Sequence, residues 1–356
     1  MSTITFMIGN GFDLACGLKT KFSDTYNGYI KQTNNNTEAV KKFKKTIEDD
    51  VETWADFEMR MAIYAQSFQT EAEFVSCIRD YRNYLNTYLL SEQNTFLSVL
   101  NSNKELLASL AEEIVRSLEQ LSVGLTRNDM RAVDAIIDAG RRNYQFLSFN
   151  YTNILDVLLE TVKSHYHEKG LSLIVNIGQV IHVHGILNED ITLGVDNELQ
   201  LKDLPYKLGY RGKRDFIKPS FVKSYDSARQ DRAKEAIRNS SVICLFGLSL
   251  GDSDLSWRKE LAEWLLEDDN HQLIAYCRSL AEKRYAATAI TERMDDEEDH
   301  KLVLAERLFG VIEDKFLDII NNQIHIPTGT TIFNFDAAKY FAMIQSLEKK
   351  ELAATT

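Results

Sequence analysis

The chain is poor in the residues that interrupt or crosslink a fold. Pro205, Pro219 and Pro327 are its only prolines in 356 residues. Nothing before Pro205 forces a helix to break, which suits a long helical region. Four cysteines, Cys16, Cys77, Cys244 and Cys277, form no C-x-x-C pair. That scatter excludes a zinc knuckle and a disulfide framework, and leaves small core residues in a reducing compartment. No apolar run reaches the ~18 residues that span a bilayer, and no basic stretch followed by an apolar one opens the sequence. We therefore expect a cytoplasmic protein without membrane contact. Positive charge is also short, with 41 Lys and Arg against 53 Asp and Glu and a formal net charge of −12. This balance argues against gripping a nucleic-acid backbone, so nucleic acid is not expected as a direct substrate.

What is present is the balance of a folded protein, 44% apolar and 26% charged. The length permits a large core and more than one domain. The chain is organised around its start, where the apolar run Thr3 to Ile8 meets the turn Gly9-Asn10-Gly11. Strand, glycine turn and helix N-terminus is the arrangement that delivers backbone N–H groups to a phosphate. The full G-x-G-x-x-G is absent, and Gly-x-Gly alone fits an ordinary tight turn equally well.

From about Phe22 to Gly140 the sequence reads as helices. Phe74, Cys77, Ile78, Tyr81, Leu85 and Tyr88 recur at spacings of three and four, behind Thr70 with Glu73 three residues on. That is an apolar stripe headed by a capping box. Leu107, Leu110, Ile114, Leu118 and Leu121 draw a second stripe, and Met130, Val133, Ile136 and Ile137 a third that stops at Gly140. Such stripes pack into a core or self-associate, and periodicity does not choose.

After Gly140 short apolar runs alternate with helical patterns. Strands are expected at 144–149, 171–175, 180–183, 241–246 and 272–277. Helices are expected at 152–162, 228–238 and 254–266, with a polar, less periodic stretch from about Leu187 to Asp226. The alternation implies a parallel sheet covered on both faces. The first strand needs this sheet, so residues 1–21 and 141–290 form one α/β core, with 22–140 as a helical insertion. Residues 291–356 form a mixed extension. In it, Asp295 to Asp299 is an acidic loop or helix start, Thr330 to Phe335 an edge strand and Ala337 to Lys349 a closing helix.

Ligands of parallel sheets sit beyond the carboxyl ends of the strands. Those ends carry Gly9, Asn10, Gly11 and Asp13; Asn150, Tyr151 and Thr152; His182, His184 and Gly185; and Gly247, Ser249, Gly251, Asp252 and Asp254. His182 and His184 share one face of a strand and suit a metal, with Asp252 or Asp254 as third ligand. His184 also suits a general base. His165, His167, His271, His300 and His325 read as structural. Asn150 holds a sugar hydroxyl or a water without titrating, or caps the next helix. Gly247-x-Ser249-x-Gly251 mimics a nucleophile elbow, but no later His completes a triad. Contact of Ser249 and its backbone with phosphate or ribose is the more economical reading.

Together these motifs resemble one family. Phe6-x-Ile8-Gly9-Asn10-Gly11-Phe12-Asp13-Leu14 is followed by Trp54-Ala55-Asp56-Phe57-Glu58, Ser148-Phe149-Asn150-Tyr151-Thr152 and His182-Val183-His184-Gly185. Gly247-x-Ser249-x-Gly251-Asp252-Ser253-Asp254 completes the set. In this order they resemble the AbiH abortive-infection family of bacterial anti-phage proteins, from Met1 to about Cys277. That family is in turn similar to sirtuin-like NAD-binding domains. Their Gly-Ala-Gly-x-Ser loop falls on Gly9 to Asp13, their Gly-Ile on Gly17-Leu18 and their motif Asn on Asn150. Their His before Gly falls on His184, and their Gly-x-Ser on Gly247 and Ser249.

The resemblance implies a Rossmann-like parallel sheet of sirtuin-like topology carrying the helical insertion. It also implies cleavage of the nicotinamide glycosidic bond of NAD, the substrate, with no metal. Asn150 and His184 would be catalytic. Gly9, Asn10, Gly11, Asp13, Thr152, Gly247, Ser249 and Asp254 would hold NAD. Partners would be further copies of the chain or another protein of the defence system. Asp13 stands where sirtuins have Ser, and Thr152 where they have Asp. Zinc-ribbon cysteines are missing, which argues against deacylation. A non-catalytic sensor of NAD or ADP-ribose derivatives is the first rival. A metal-dependent phosphoesterase or nuclease built on His182, His184, Asp252 and Asp254 is the second.

Overall fold

The computed structural model describes residues 2–33, 37–137, 142–168, 175–189, 191–286 and 288–335, with only the backbone of 165–168 and 175. Six strands make one sheet: β1 (Thr3–Ile8), β2 (Arg142–Ser148), β3 (Val175–His182), β4 (Val242–Phe246), β5 (Gln272–Tyr276) and β6 (Ile324–His325). All neighbouring pairs are parallel, in the order β3-β2-β1-β4-β5-β6. This is the Rossmann-type order. β4 and β5 are buried along their whole lengths, as strands covered on both faces must be. Alternation on β1 sends Ile4, Phe6 and Ile8 into the apolar core on one face and Met7 into that on the other.

The strands are joined by α1 (Gly11–Ala15), α2 (Phe22–Lys31), α3 (Glu38–Asp49), α4 (Phe57–Tyr64), α5 (Glu71–Ser102), α6 (Lys104–Glu119) and α7 (Arg127–Ile136), all between β1 and β2. Next come α8 (Ile154–Glu168), then α9 (Tyr210–Phe216), α10 (Lys218–Tyr225) and α11 (Ser227–Arg238) between β3 and β4. α12 (Leu255–Glu267), α13 (Arg278–Glu282), α14 (Ile290–Phe309) and α15 (Leu317–Asn322) follow. Side chains of α6, α7 and α8 cover one sheet face, while α11, α12, α14 and α15 cover the other. A separate apolar cluster joins α2–α4 and the first half of α5 to residues 187–217.

The three apolar stripes are thus packed within the chain. The 32-residue α5, about 48 Å long at ~1.5 Å per residue, belongs to both regions. Phe74 to Leu89 lie in the helical cluster, and Phe96, Val99 and Leu100 in the sheet core. At its head Thr70 Oγ1 accepts from the Glu73 N–H, but Glu73 returns to the Gln69 N–H. The box is offset by one residue from the expected one.

Four expectations need correction. β3 is one strand back to Val175, with Gly178 inside it; a Cβ there would lie 3.1 Å from the Tyr144 carbonyl oxygen. Asn176, Gly178 and Gln179 disguise it. Residues 171–174, Gly140 and the expected helix 337–349 lie outside the described residues. Residues 330–335 are not a strand: Phe333 has φ +50° and donates its N–H to Ser117 Oγ. Its ring packs on Phe12 and Phe246, so β propensity yields to aromatic packing. The edge strand is instead β6, two residues long and followed closely by Pro327. Finally, the acidic run 295–299 lies inside α14, where Glu297 pairs with Lys301 at 2.8 Å.

Candidate functional site

The loops after β1 and β4 meet backbone to backbone. Gly9 N–H donates to the Phe246 carbonyl at 2.9 Å and Gly11 N–H to the Gly247 carbonyl at 3.0 Å. A Cβ on Gly11 would lie 2.4 Å from Gly247 Cα, and Gly247 itself has φ +63°. Glycine is required here because two chains touch where any side chain would intrude. This corrects the expectation that Gly9 and Gly11 cradle a diphosphate through their N–H groups, since both are engaged by protein. Asn10 is occupied as well: Nδ2 donates to the Thr20 carbonyl and Oδ1 accepts from Thr20 Oγ1.

The β4 loop has the complementary pattern. Its carbonyls are taken, Ser249 by Arg307 Nη1, Leu250 by Arg258 Nε and Gly251 by the Asp254 N–H. Leu250 is left-handed at φ +49°. Among the described residues, the N–H groups of Leu248, Ser249 and Gly251 have no protein partner. A turn held by its carbonyls with open N–H groups has the character of an anion-binding nest.

Asp13, the first acidic residue of α1, is almost fully buried. Its Oδ1 accepts from Asn150 Nδ2 at 3.0 Å and its Oδ2 from Thr152 Oγ1 at 2.8 Å. Asn150 is fixed from behind, its N–H donating to Ser148 Oγ at the end of β2. Burial pushes the Asp13 carboxyl up to about 7; the Thr152 and Asn150 hydrogen bonds and the His182 charge oppose the rise.

A second buried group lies beside it. Lys218 Nζ donates to Glu58 Oε2 at 2.8 Å, Asp254 Oδ1 at 3.0 Å and the Ser253 carbonyl at 3.1 Å. His184 Nε2 lies 3.3 Å from the same Asp254 oxygen, without hydrogen-bond alignment. The Phe149 ring stands edge-on to His184 at 5.2 Å. Burial works against the Lys218 ammonium, but Asp254 and Glu58 hold its pKa above the ordinary lysine value. Burial likewise opposes the Asp254 carboxylate, while Lys218 and His184 hold it below the usual range. Glu58 also accepts from the Gly194 N–H at 2.9 Å. Glu58 belongs to a motif whose role the sequence left blank. Lys218 was not singled out, because it sits in the polar stretch without periodicity; its only signal is the following Pro219, which favours the first turn of a helix.

His182 faces elsewhere. Its Nε2 lies 2.9 Å from Asp156 Oδ2 on α8, while the exposed Asp252 pairs with Arg258 at 2.8 Å. His182, His184, Asp252 and Asp254 therefore do not converge. Among the described residues, no three His, Cys, Asp or Glu side chains are grouped to hold a metal. His271 stacks on Trp264, and His325 is buried against Gln272.

One cavity of about 450 Å³ gathers the strand ends. Gly9, Asn10, Gly11, Asp13, Asn150, Thr152, His184, Gly247, Ser249 and Asp254 all line it, together with Glu58, Tyr151 and Phe149. It sits at the β1/β4 switch point, where ligands of such sheets bind, and its size is that of a small-molecule site. A groove of about 700 Å³ beside α5 contains none of these residues.

No helix among the described residues is long and apolar enough to cross a membrane. A search of curated proteins returns no match. Residues 5–276 match the family model described as bacteriophage abortive infection AbiH. The match spans well over half of the sequence, and this chain belongs to the AbiH family.

Proposed function

We propose that this AbiH protein acts in anti-phage abortive infection by hydrolysing NAD to nicotinamide and ADP-ribose. The observation that carries the reading is the convergence of Asp13, Asn150, Thr152, His184 and the β4 loop on one cavity. Cleavage of the glycosidic bond builds oxocarbenium character on the ribose, so a site must orient ribose and water and fix the diphosphate. The open N–H groups of Leu248, Ser249 and Gly251 suit the diphosphate better than the engaged ones of Gly9 and Gly11. Asn150 uses one N–H on Asp13 and keeps the rest of its amide for ribose or water. His184 serves as proton acceptor toward a ribose hydroxyl, with Asp254 and Lys218 fixing the charge behind it.

The resemblance to sirtuin-like domains supports this assignment through an exchange. Ser and Asp of that pattern are replaced by Asp13 and Thr152, and here the two side chains bond to each other. One carboxylate and one hydroxyl are kept, with sides reversed. His182 and Asp252 are engaged away from the neighbouring His184 and Asp254, which disfavours the phosphoesterase reading. The test is incubation of pure protein with NAD, alone and with phage components, followed by chromatography for nicotinamide and ADP-ribose. Both products are expected. NAD left intact under every condition refutes hydrolysis, and calorimetric binding without turnover would make the protein a sensor.

A further inference from the structure

The cavity holds one carboxylate whose chemistry the resemblance does not supply. Resting on the hydrolase reading above, we propose that Asp13 is a catalytic residue that accepts the proton of the attacking water.

Three observations place it there. Asp13 lines the cavity together with Asn150 and Thr152. Both carboxylate oxygens receive one hydrogen bond from these neighbours, which fixes the plane of the group and leaves each oxygen a further lone pair. Among the described residues no cation is bonded to Asp13, whereas Asp254 is bound by Lys218. A base needs that freedom, and a carboxylate held by an ammonium lacks it.

The step balances as follows. The C1′–N bond of the nicotinamide riboside breaks, and its electron pair stays on the pyridine nitrogen, which becomes neutral. The water oxygen bonds to C1′ and its proton passes to Asp13, which later releases it to solvent. His184 remains for the ribose hydroxyl. An anion beside this half of the substrate is favourable, because the pyridinium and the developing oxocarbenium are both cationic. The diphosphate belongs at the β4 loop, away from it.

Poise supports the geometry. Burial holds the carboxyl at about 7, near the optimum for a base working at neutral pH. The titratable groups whose charge couples to it are His182 at the end of β3, whose ring turns to Asp156, and Cys16 after its own helix. Burial pushes the Cys16 thiol well above its ordinary value, so that it stays neutral. From the loop after β2 come the uncharged Asn150 and Thr152.

The experiment compares wild type, Asp13→Asn and the exchange double variant Asp13→Ser/Thr152→Asp in NAD turnover from pH 5.5 to 8.5, with ADP-ribose binding by calorimetry. Wild-type kcat should rise through an apparent pKa near 7. Asp13→Asn should bind ADP-ribose within about threefold of wild type while kcat falls about 10²–10⁴-fold and loses the acidic limb. The double variant should recover at least tenfold of that loss. Wild-type protein that leaves NAD intact refutes the hydrolase reading and this role with it. Turnover by wild type with equal turnover by Asp13→Asn refutes the role of Asp13 alone. Should Asp13→Asn fail to fold, the wild-type profile still decides: a kcat independent of pH over this range overturns the proposal.

Discussion

Lys218→Met tests the electrostatic account of the site. Lys218 is buried and is the cation shared by Glu58 at 2.8 Å and Asp254 at 3.0 Å, both buried themselves. Replacing it with an apolar chain of similar length keeps the packing and strands two carboxylates. Breaking a buried pair from one side costs about 3–5 kcal/mol. For a chain of 356 residues, an unfolding entropy of about 2.1 cal/mol/K per residue gives about 0.75 kcal/mol/K. The melting temperature should therefore fall by about 4–7 °C. Lys218→Met/Glu58→Gln should recover part of that loss, because only Asp254 then lacks its cation, with His184 still 3.3 Å away.

The sign with pH follows. Asp254 is held below its ordinary value of 3.8, so its stabilisation is present above that pH and fades as pH falls further. Lys218 is held above 10.5, so its contribution is present below that pH and fades as pH rises further. Asp254 and Lys218 should therefore keep their charges in wild type between about pH 4 and 10. In the variant the stranded carboxylates take up protons more readily, so the deficit should shrink at pH 5 and grow at pH 8. Differential scanning fluorimetry at both pH values measures this. A variant within 1 °C of wild type at pH 8 refutes the reasoning.

The remaining predictions concern the site itself. Asn150→Ala and His184→Ala should each lower NAD turnover at least 100-fold with the fold kept by circular dichroism; full activity in both refutes their roles. Gly11→Ala places a Cβ 2.4 Å from Gly247 Cα and should destabilise by about 1–3 kcal/mol or more. Gly251→Ala, whose Cβ would meet Ser249 Oγ at an ordinary 3.7 Å, should leave the melting temperature within 1 °C. Equal melting temperatures for the two would show that the loops do not meet as described. Burial raises Asp13 from 3.8 to about 7, so its folded form favours the proton. Wild type should lose stability as pH rises between those values, by up to about 4 kcal/mol at ~1.4 kcal/mol per pKa unit. Asp13→Asn should escape that loss and be more stable than wild type at pH 8; chemical denaturation at pH 5 and 8 measures it, and equal differences at both refute it.

Much of this fold was legible because the sheet is parallel and buried. Val242 to Phe246 has no polar residue, and a continuous short apolar run after a helix has few other interpretations. Legibility failed where tertiary contacts override local preference. Thr330, Thr331 and Ile332 favour a strand, yet the aromatic surface of the sheet core takes Phe333 and Phe335 instead. Ile324–His325 pairs with β5, but two residues are too few to carry a period. The polar stretch around Lys218, ten positions before the next expected helix, likewise hid a residue that depends on Glu58, 160 positions earlier.

The candidate site was legible as a set but not as a network. Strand ends carrying small and polar residues could be read off one by one; of the fifteen so named, twelve line one cavity, while His182, Gly185 and Asp252 do not. Which of them bond to each other could not, because a hydrogen bond between Asp13 and Thr152 spans 139 positions. Read singly, Asp13 does not fit beside a diphosphate, which a carboxylate repels. Read with Asn150 and Thr152, it is a buried acid with two donors and, among the described residues, no bonded cation, and the loop that would bring a diphosphate beside it has the N–H groups of Gly9 and Gly11 engaged by Phe246 and Gly247. On the hydrolase proposal the diphosphate would therefore sit at the loop after β4, where Arg258 and Arg307 hold the carbonyls. On that proposal Asp13 would face the cationic ribose and not the diphosphate, and its carboxylate would favour the reaction.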